Sequence, residues 1–164
     1  MLQKLAAAAA LTTALSSVAF AMPMAGSLIG HVDSQDVQPM GAPGDMRITK
    51  TASGTNAGPG TPLDGARVQW SDVTVLKGGQ GPVTGTITFI TPTGTTSSPY
   101  KGTVTTDPMG RVTATGTFRT TKGSGDFAGL KGRGTFSVAF SSPTDFTGQW
   151  QGDFKTPGQR TSRR

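Results

Sequence analysis

Residues able to carry acid–base, nucleophilic or metal chemistry are few in this 164-residue chain. It contains one histidine, no cysteine and no glutamate, so all nine acidic residues are aspartates. A histidine-based triad could use only His31, and metal ligation would need several aspartates without imidazole support. Asp33 and Asp36 lack the Gly and Glu that an EF-hand calcium loop requires at fixed positions. We interpret His31 as an ordinary polar side chain and expect no metal or cofactor site.

Paired carboxylates are the remaining catalytic possibility, because two of them can hydrolyse a glycoside when one has a raised pKa and their separation is fixed. The candidates are Asp72, Asp126, Asp145 and Asp153. Asp126 suits a capping role, Asp145 follows a turn, and Asp153 alternates onto a solvent-facing side. We therefore assign structural roles to these carboxylates and predict no catalytic residue.

Aromatic side chains offer a place where a ligand could dock. Trp150 shares its face with Phe146 and Phe154, which favours a role in core packing. Trp70 and Tyr100 combine an apolar body with a polar tip, so they could line the mouth of a β-barrel. These two residues are the predicted ligand-binding candidates.

Strands must position these residues, because period-two alternation dominates the second half of the chain. From Arg111 to Thr120, apolar residues occupy one face and Thr or Arg the other, which is typical of a half-buried antiparallel strand. The runs around residues 83–89, 100–104, 136–140 and 146–154 repeat the split. Val68 with Trp70, then Val73 with Val75, suggest one long strand with a bulge between the two pairs. Turn residues at 107–110 and 141–144 predict hairpins.

Glycine on the apolar faces favours a closed barrel over a two-sheet sandwich. The glycines concerned are Gly85, Gly102, Gly116, Gly148 and Gly152. Glycine weakens a strand unless the sheet bends sharply or another backbone approaches, and alternating small and large inward residues suit a narrow barrel. The predicted fold class is all-β: a small antiparallel β-barrel of about eight strands, with no ordinary helix after the N-terminal segment.

The chain divides into four predicted segments. Residues 1–21 combine a short basic start, an apolar run and a small-residue site, the three-part pattern of a secretory signal peptide, with cleavage expected after Ala21. Residues 22–65, rich in Pro and Gly, are expected to be mostly loops with one or two strands. Residues 66–155 form the predicted barrel core, and 156–164 a basic flexible tail. The expected location is the periplasm or the exterior.

One glycine-rich stretch, residues 123–136, stands apart from the alternating strands. Asp126 can cap a single helical turn that carries Phe127 and Leu130 inward, and Gly132 would allow a left-handed exit into the next strand. We expect this structural corner to close one end of the barrel.

The pattern G-x-G-x-F-x-G-x-x-G-x-G-T-F in this stretch resembles the corner of allene oxide cyclase and dirigent-like barrels and of related bacterial domains of unknown function. The resemblance covers roughly residues 83–140. It implies an antiparallel eight-stranded barrel with a central cavity, in a superfamily that includes cyclases, proteins that steer radical coupling, and members without known activity. No aspartate or arginine of this chain aligns with a catalytic position of those families, so activity stays open.

Composition limits the choice of function. The net charge of +6 is moderate and aromatic residues make up only 7%, whereas a nucleic-acid surface needs a basic stripe with stacking aromatics. No second long apolar run predicts a membrane span. The leading hypothesis is an exported, non-catalytic barrel that binds a small apolar ligand or a cell-envelope partner. The alternatives are a structural or surface component, and a cyclase- or isomerase-like enzyme of the resembled superfamily.

Overall fold

A computed structural model describes residues 21–156 of the chain. The predicted signal segment up to residue 20 and the tail from residue 157 lie outside the described residues. The described part contains nine strands: β1 (Met22–Pro39), β2 (Met46–Ala57), β3 (Arg67–Leu76), β4 (Gln80–Thr91), β5 (Gly94–Thr106), β6 (Val112–Thr120), β7 (Lys122–Gly125), β8 (Lys131–Phe140) and β9 (Asp145–Lys155). Between residues 21 and 156 there is no helix long and apolar enough to cross a membrane.

Eight of the strands close into an antiparallel barrel. The sheet order is β4-β3-β2-β1-β9-β8-β6-β5, and an additional β4–β5 pairing joins its two ends. The short strand β7 follows β6 after one residue and pairs with β5 alongside residues 94–97. The hairpins predicted at residues 107–110 and 141–144 connect β5 to β6 and β8 to β9. The prediction of an all-β barrel of about eight strands is confirmed.

The N-terminal segment differs from the sequence-based expectation. Residues 22–65 hold two strands, within the one or two expected there, but β1 has 18 residues and β2 has 12, so strands rather than loops make up most of the segment and both belong to the barrel. β1 pairs with β9 on one side and with β2 on the other, with a register shift between Val32 and Ser34. Ladder hydrogen bonds from both neighbours, together with burial of Leu28 and Ala52, therefore override a weak local β propensity.

Inward glycines lie directly opposite inward aromatic residues on neighbouring strands. The cross-strand pairs are Gly26–Trp150, Gly30–Phe146, Gly85–Tyr100, Gly116–Phe136, Gly134–Phe118 and Gly132–Phe154. A Cβ added at the glycine of any of these pairs would collide with the partner's ring. Each ring therefore folds over the glycine backbone opposite it, which is how this narrow barrel accommodates so many aromatic side chains.

The two ends of the barrel are covered unequally. At one end, Leu63 from the β2–β3 connection joins Phe127 and Leu130 from the β7–β8 corner in the main core cluster, and all three are buried. At the opposite end, inward side chains such as Met46 and Phe140 are only half-buried. The described barrel is thus plugged at one end and more accessible at the other.

The β7–β8 corner is a tight turn whose details differ from the sequence-based expectation. The Leu130 backbone N–H donates to the Phe127 carbonyl over 2.9 Å. Asp126 is exposed, and the Phe127 and Ala128 N–H groups donate to the Ser124 and Gly125 carbonyls, so backbone hydrogen bonds close this turn instead of the expected Asp126 cap. The left-handed exit is at Gly129, with φ of 77°, and not at Gly132. Gly132 is instead an extended residue of β8 that leaves room for the ring of Phe154.

Candidate functional site

The register of β3 places a carboxylate inside the barrel. A bulge was expected between Trp70 and Val73, but β3 pairs with β2 and β4 without any register shift. Alternation therefore continues unbroken from Trp70, and both Asp72 and Thr74 are buried on the inward side. The bulge prediction is wrong, and the unbroken register places Asp72 inside the barrel.

Asp72 forms an ion pair with Lys50, its direct cross-strand partner on β2. The Lys50 Nζ lies 2.6 Å from Asp72 Oδ1, and the two side chains are only 15% and 5% exposed. Removing two charges from water is costly, and a buried pair persists only with good geometry and further hydrogen bonds. The second oxygen of Asp72 supplies such a bond.

Tyr100 reaches Asp72 from two strands away. It lies on β5 opposite Gly85 of β4, and Gly85 in turn lies opposite Asp72 of β3. A Cβ at Gly85 would come within 2.8 Å of the Tyr100 ring and 2.5 Å of the Asp72 Cβ, so only glycine leaves this path open. The Tyr100 hydroxyl donates to Asp72 Oδ2 over 2.6 Å. Burial, reinforced by the negative charge of Asp72 and this hydrogen bond, raises the pKa of Tyr100 far above its ordinary value.

The Lys50–Asp72–Tyr100 cluster faces a cavity of about 90 Å³ inside the barrel. Lys50 and Asp72 are the charged residues in its wall, which is otherwise mostly aliphatic and aromatic. Both ligand-binding candidates from the sequence, Trp70 and Tyr100, line it. The Tyr100 hydroxyl is held inside by Asp72 rather than exposed at a mouth, whereas Trp70 packs edge-on against Phe146 with ring centroids 5.2 Å apart.

Other polar groups in the interior mostly satisfy one another. The Ser98 and Thr120 hydroxyls, both in the cavity wall, are 2.8 Å apart. The Trp150 indole donates to Asn56 Oδ1 over 2.8 Å, which anchors the ring in the core as expected. Thr74 is the exception, because its buried hydroxyl has no hydrogen-bond partner among residues 21–156. Thr74 follows Asp72 in the inward row of β3 but is not among the residues of the cavity wall.

The aspartates considered for glycoside hydrolysis are not brought together. Asp126 and Asp153 are exposed, and Asp145 is a surface residue whose Oδ1 lies 2.7 Å from His31 Nδ1. The His31 hydrogen bond, with help from Ser142, lowers the pKa of Asp145. Both partners of this pair are 57% exposed, so it lacks the enclosure of an active site. Across residues 21–156, no cluster of three or more metal-ligating side chains occurs.

Sequence reasoning missed Lys50, although a signal for it exists. Ile48, Lys50 and Ala52 alternate on β2 and all face inward, which places a lysine in the middle of an apolar row. An isolated lysine in such a row indicates a buried ion pair only if a carboxylate lies opposite it. The register of β2 against β3, which decides this, cannot be determined from the sequence. The pair could thus be recognised only once the strands were aligned.

Comparison with known proteins does not identify a family for this chain. Neither a protein-family model nor a curated protein matches the chain. A closed barrel is what the resemblance to allene oxide cyclase and dirigent-like proteins implies, but a fold of this kind is shared by unrelated functions. Membership of that superfamily stays a prediction.

Proposed function

We propose that this chain is an exported β-barrel protein that binds a small, mainly apolar molecule in its interior. The observation that supports this proposal is the Lys50–Asp72 ion pair in the wall of an otherwise apolar cavity. A buried pair contributes little to stability compared with well-packed apolar residues. Apolar pockets with a few convergent polar groups are typical of small-molecule sites. A role in ligand binding would explain why Lys50 and Asp72 occupy the cavity wall instead of apolar residues.

The cavity limits the size of the ligand. Its volume of about 90 Å³ is smaller than the engineered cavity of roughly 150 Å³ that admits benzene. The ligand that enters without displacing side chains is therefore a compact molecule of a few non-hydrogen atoms. The half-buried end of the barrel, with Met46 and Phe140, is the proposed route of entry.

Indole NMR signals provide a direct test of binding. The chain has two tryptophans, and both Trp70 and Trp150 line the cavity. Titrating small molecules such as butanone into ¹⁵N-labelled protein should therefore shift both indole N–H resonances in a saturable manner. The proposal would be contradicted if the indole signals did not shift while backbone amides of solvent-facing residues shifted in a saturable manner, because the ligand would then bind outside the barrel.

A matched pair of variants separates the interior from the surface. Ala114 is buried in the cavity wall, so Ala114→Met should fill the space and abolish the indole shifts. Thr115 is exposed on the same strand, so Thr115→Met should leave binding unchanged. Backbone NMR dispersion checks that both variants fold, and Val83→Leu offers a milder filling if Ala114→Met does not.

Export itself rests on the N-terminal pattern of residues 1–21. Expression of the full chain in a bacterium and mass measurement of the periplasmic product should give a mature protein starting at Met22. Recovery of the uncleaved chain in the cytoplasm would contradict this part of the proposal.

An isomerase or cyclase is the second candidate, favoured by the same polar cluster. A Lys50 ammonium beside a reacting oxygen would stabilise negative charge that develops there, and such preorganised stabilisation is a large catalytic effect. Incubation of the protein with small unsaturated epoxides, followed by NMR of the products, tests this candidate. Formation of an isomer that is lost in Lys50→Met would support it, whereas unchanged substrates would leave binding as the function.

A further inference from the structure

Lys50 leaves hydrogen-bonding capacity open in the cavity. An ammonium group has three N–H donors. One of them is used by Asp72 Oδ1, and no other described residue accepts a hydrogen bond from Lys50. Since Lys50 is in the cavity wall and 15% exposed, the remaining donors are available to a molecule inside the barrel.

Asp72 is far less available than Lys50. Its Oδ1 is held by Lys50 and its Oδ2 by Tyr100, each over 2.6 Å. The Tyr100 hydroxyl donates its single proton to Asp72 and therefore has no further proton to donate to a ligand. A ligand therefore meets a cluster in which both Asp72 oxygens already accept a hydrogen bond, whereas Lys50 has N–H groups without a described partner. The complementary ligand group is a hydrogen-bond acceptor.

Charge decides which kind of acceptor fits. Lys50 and Asp72 are the charged residues in the wall, and their charges cancel. An anionic ligand would add a third, uncompensated charge close to Asp72 in a poorly solvated space, where an unpaired charge is strongly disfavoured. A ligand with a neutral oxygen adds no charge to the cavity and so avoids this cost.

The buried hydroxyl of Thr74 lies outside the cavity wall and marks unfilled polar capacity elsewhere in the interior. It has no partner among the described residues, although buried polar groups are nearly always hydrogen-bonded. Thr74 lies opposite Ile48 in register, directly after the Lys50–Asp72 pair along the same two strands.

We infer that the ligand class of this cavity is small, neutral carbonyl compounds, whose oxygen accepts a hydrogen bond from Lys50 while the carbon skeleton contacts the aromatic wall. This inference rests on the proposed binding function and deepens it by naming the chemistry that the site selects. It also assigns Lys50 as the specificity-determining residue.

Three ligands of matched shape test the inference: butanone, its hydrocarbon isostere 2-methyl-1-butene, and the anion propionate. Their dissociation constants are measured on the full mature protein from the indole shifts. A hydrogen bond to a charged donor should make butanone bind about tenfold more tightly than either of the other two. This ranking is measured on the wild-type protein, so it requires no variant to fold.

Two variants then locate the selectivity. Lys50→Met should bring the affinity for butanone down to that for 2-methyl-1-butene, while binding of the alkene persists. Lys101→Met removes an exposed lysine of β5 and should leave all three affinities unchanged.

The possible failures are distinguishable. If the ketone and the alkene bind equally well, or propionate binds most tightly, the carbonyl inference is overturned while binding in the barrel stands. If none of the three shifts the indole signals, the proposed function itself fails.

Discussion

Tyr100 is a partly buried residue whose hydroxyl lies inside the barrel. Its ring crosses Gly85 to place the hydroxyl on a buried carboxylate, and burial beside that negative charge raises its pKa. Because Tyr100 is the chain's one tyrosine, the tyrosinate absorbance near 295 nm reports on this residue alone. We expect no tyrosinate in the native protein at pH 11, and ordinary ionisation near pH 10 in urea. Ionisation of the native protein near pH 10 would contradict the buried contact.

The Lys50–Asp72 pair illustrates how the cost of a buried charge depends on its partner. Lys50→Met leaves Asp72 charged and unpaired in an apolar wall, so the free energy of unfolding should fall by about 3–5 kcal/mol. The triple variant Lys50→Met/Asp72→Leu/Tyr100→Phe removes the whole cluster and should be more stable than this single variant. Urea denaturation monitored by tryptophan fluorescence measures both. A triple variant with the summed losses of its single variants would show that the cluster is not acting as a unit.

At the scale of strands, the glycine–aromatic pairs account for both the narrow barrel and the site. Gly85→Ala would place a Cβ within 2.5 Å of Asp72 and 2.8 Å of Tyr100, so we expect a loss of more than about 2 kcal/mol of stability. Gly148→Ala is the matched control, because its added Cβ would lie 3.1 Å from the nearest atom, a side-chain methyl of Val138, and should cost less than about 1 kcal/mol.

A second measurement distinguishes loss of the site from general destabilisation in these variants. In Gly85→Ala the displaced Tyr100 ring should lose its contact with Asp72, so tyrosinate should form closer to pH 10 in the folded protein. Gly148→Ala should titrate like the wild type. Equal titration curves in the two variants would mean that Gly85 has no special role in the path to Asp72.

The strands also show what sequence alone could predict. From residue 83 onward, runs of alternating apolar and polar residues are separated by recognisable turn residues, so strand positions and two hairpins could be inferred. In β3 the alternation of hydrophobic residues changes phase between Trp70 and Val73, which imitates a bulge. The strand instead keeps its register, because Lys50 and Tyr100 compensate the polarity of Asp72 inside. Lys50 and Tyr100 are 22 and 28 residues from Asp72 in the sequence. The local sequence around Asp72 therefore gives no sign of these contacts.

At the scale of the whole barrel, formed by residues 21–156, closure leaves short strand edges to protect. Residues 34–39 of β1 extend past β9, which begins opposite His31, and pair on one side with β2. Asp36 and Pro39 lie on this extension, and charge and proline are the features that discourage pairing with another chain. With no cysteine in the sequence, stability must come from closure and packing rather than from disulfides.

The pH limits of the fold follow from the pKa shifts of its titrating groups. The pKa values of Asp107 and Asp145 are lowered, Asp107 mainly by hydrogen bonds from Arg111 and Asp145 mainly by that from His31. Their stabilisation is present above the ordinary carboxyl pKa of 3.8 and is lost as the pH falls below it. Both side chains are at the surface, so this acid-side loss should be small.

The alkaline limit should be steeper, because the raised pKa of Tyr100 acts in the opposite direction. Below pH 10 the folded and unfolded states both keep the tyrosine proton; above it the unfolded chain loses the proton while the buried hydroxyl retains it. The unfolding free energy should then fall by up to about 1.4 kcal/mol per pH unit. Urea midpoints at pH 7, 10 and 11 measure this slope. Tyr100→Phe should be less stable at pH 7 but decline less steeply between pH 10 and 11, whereas equal slopes would assign the alkaline loss to other groups.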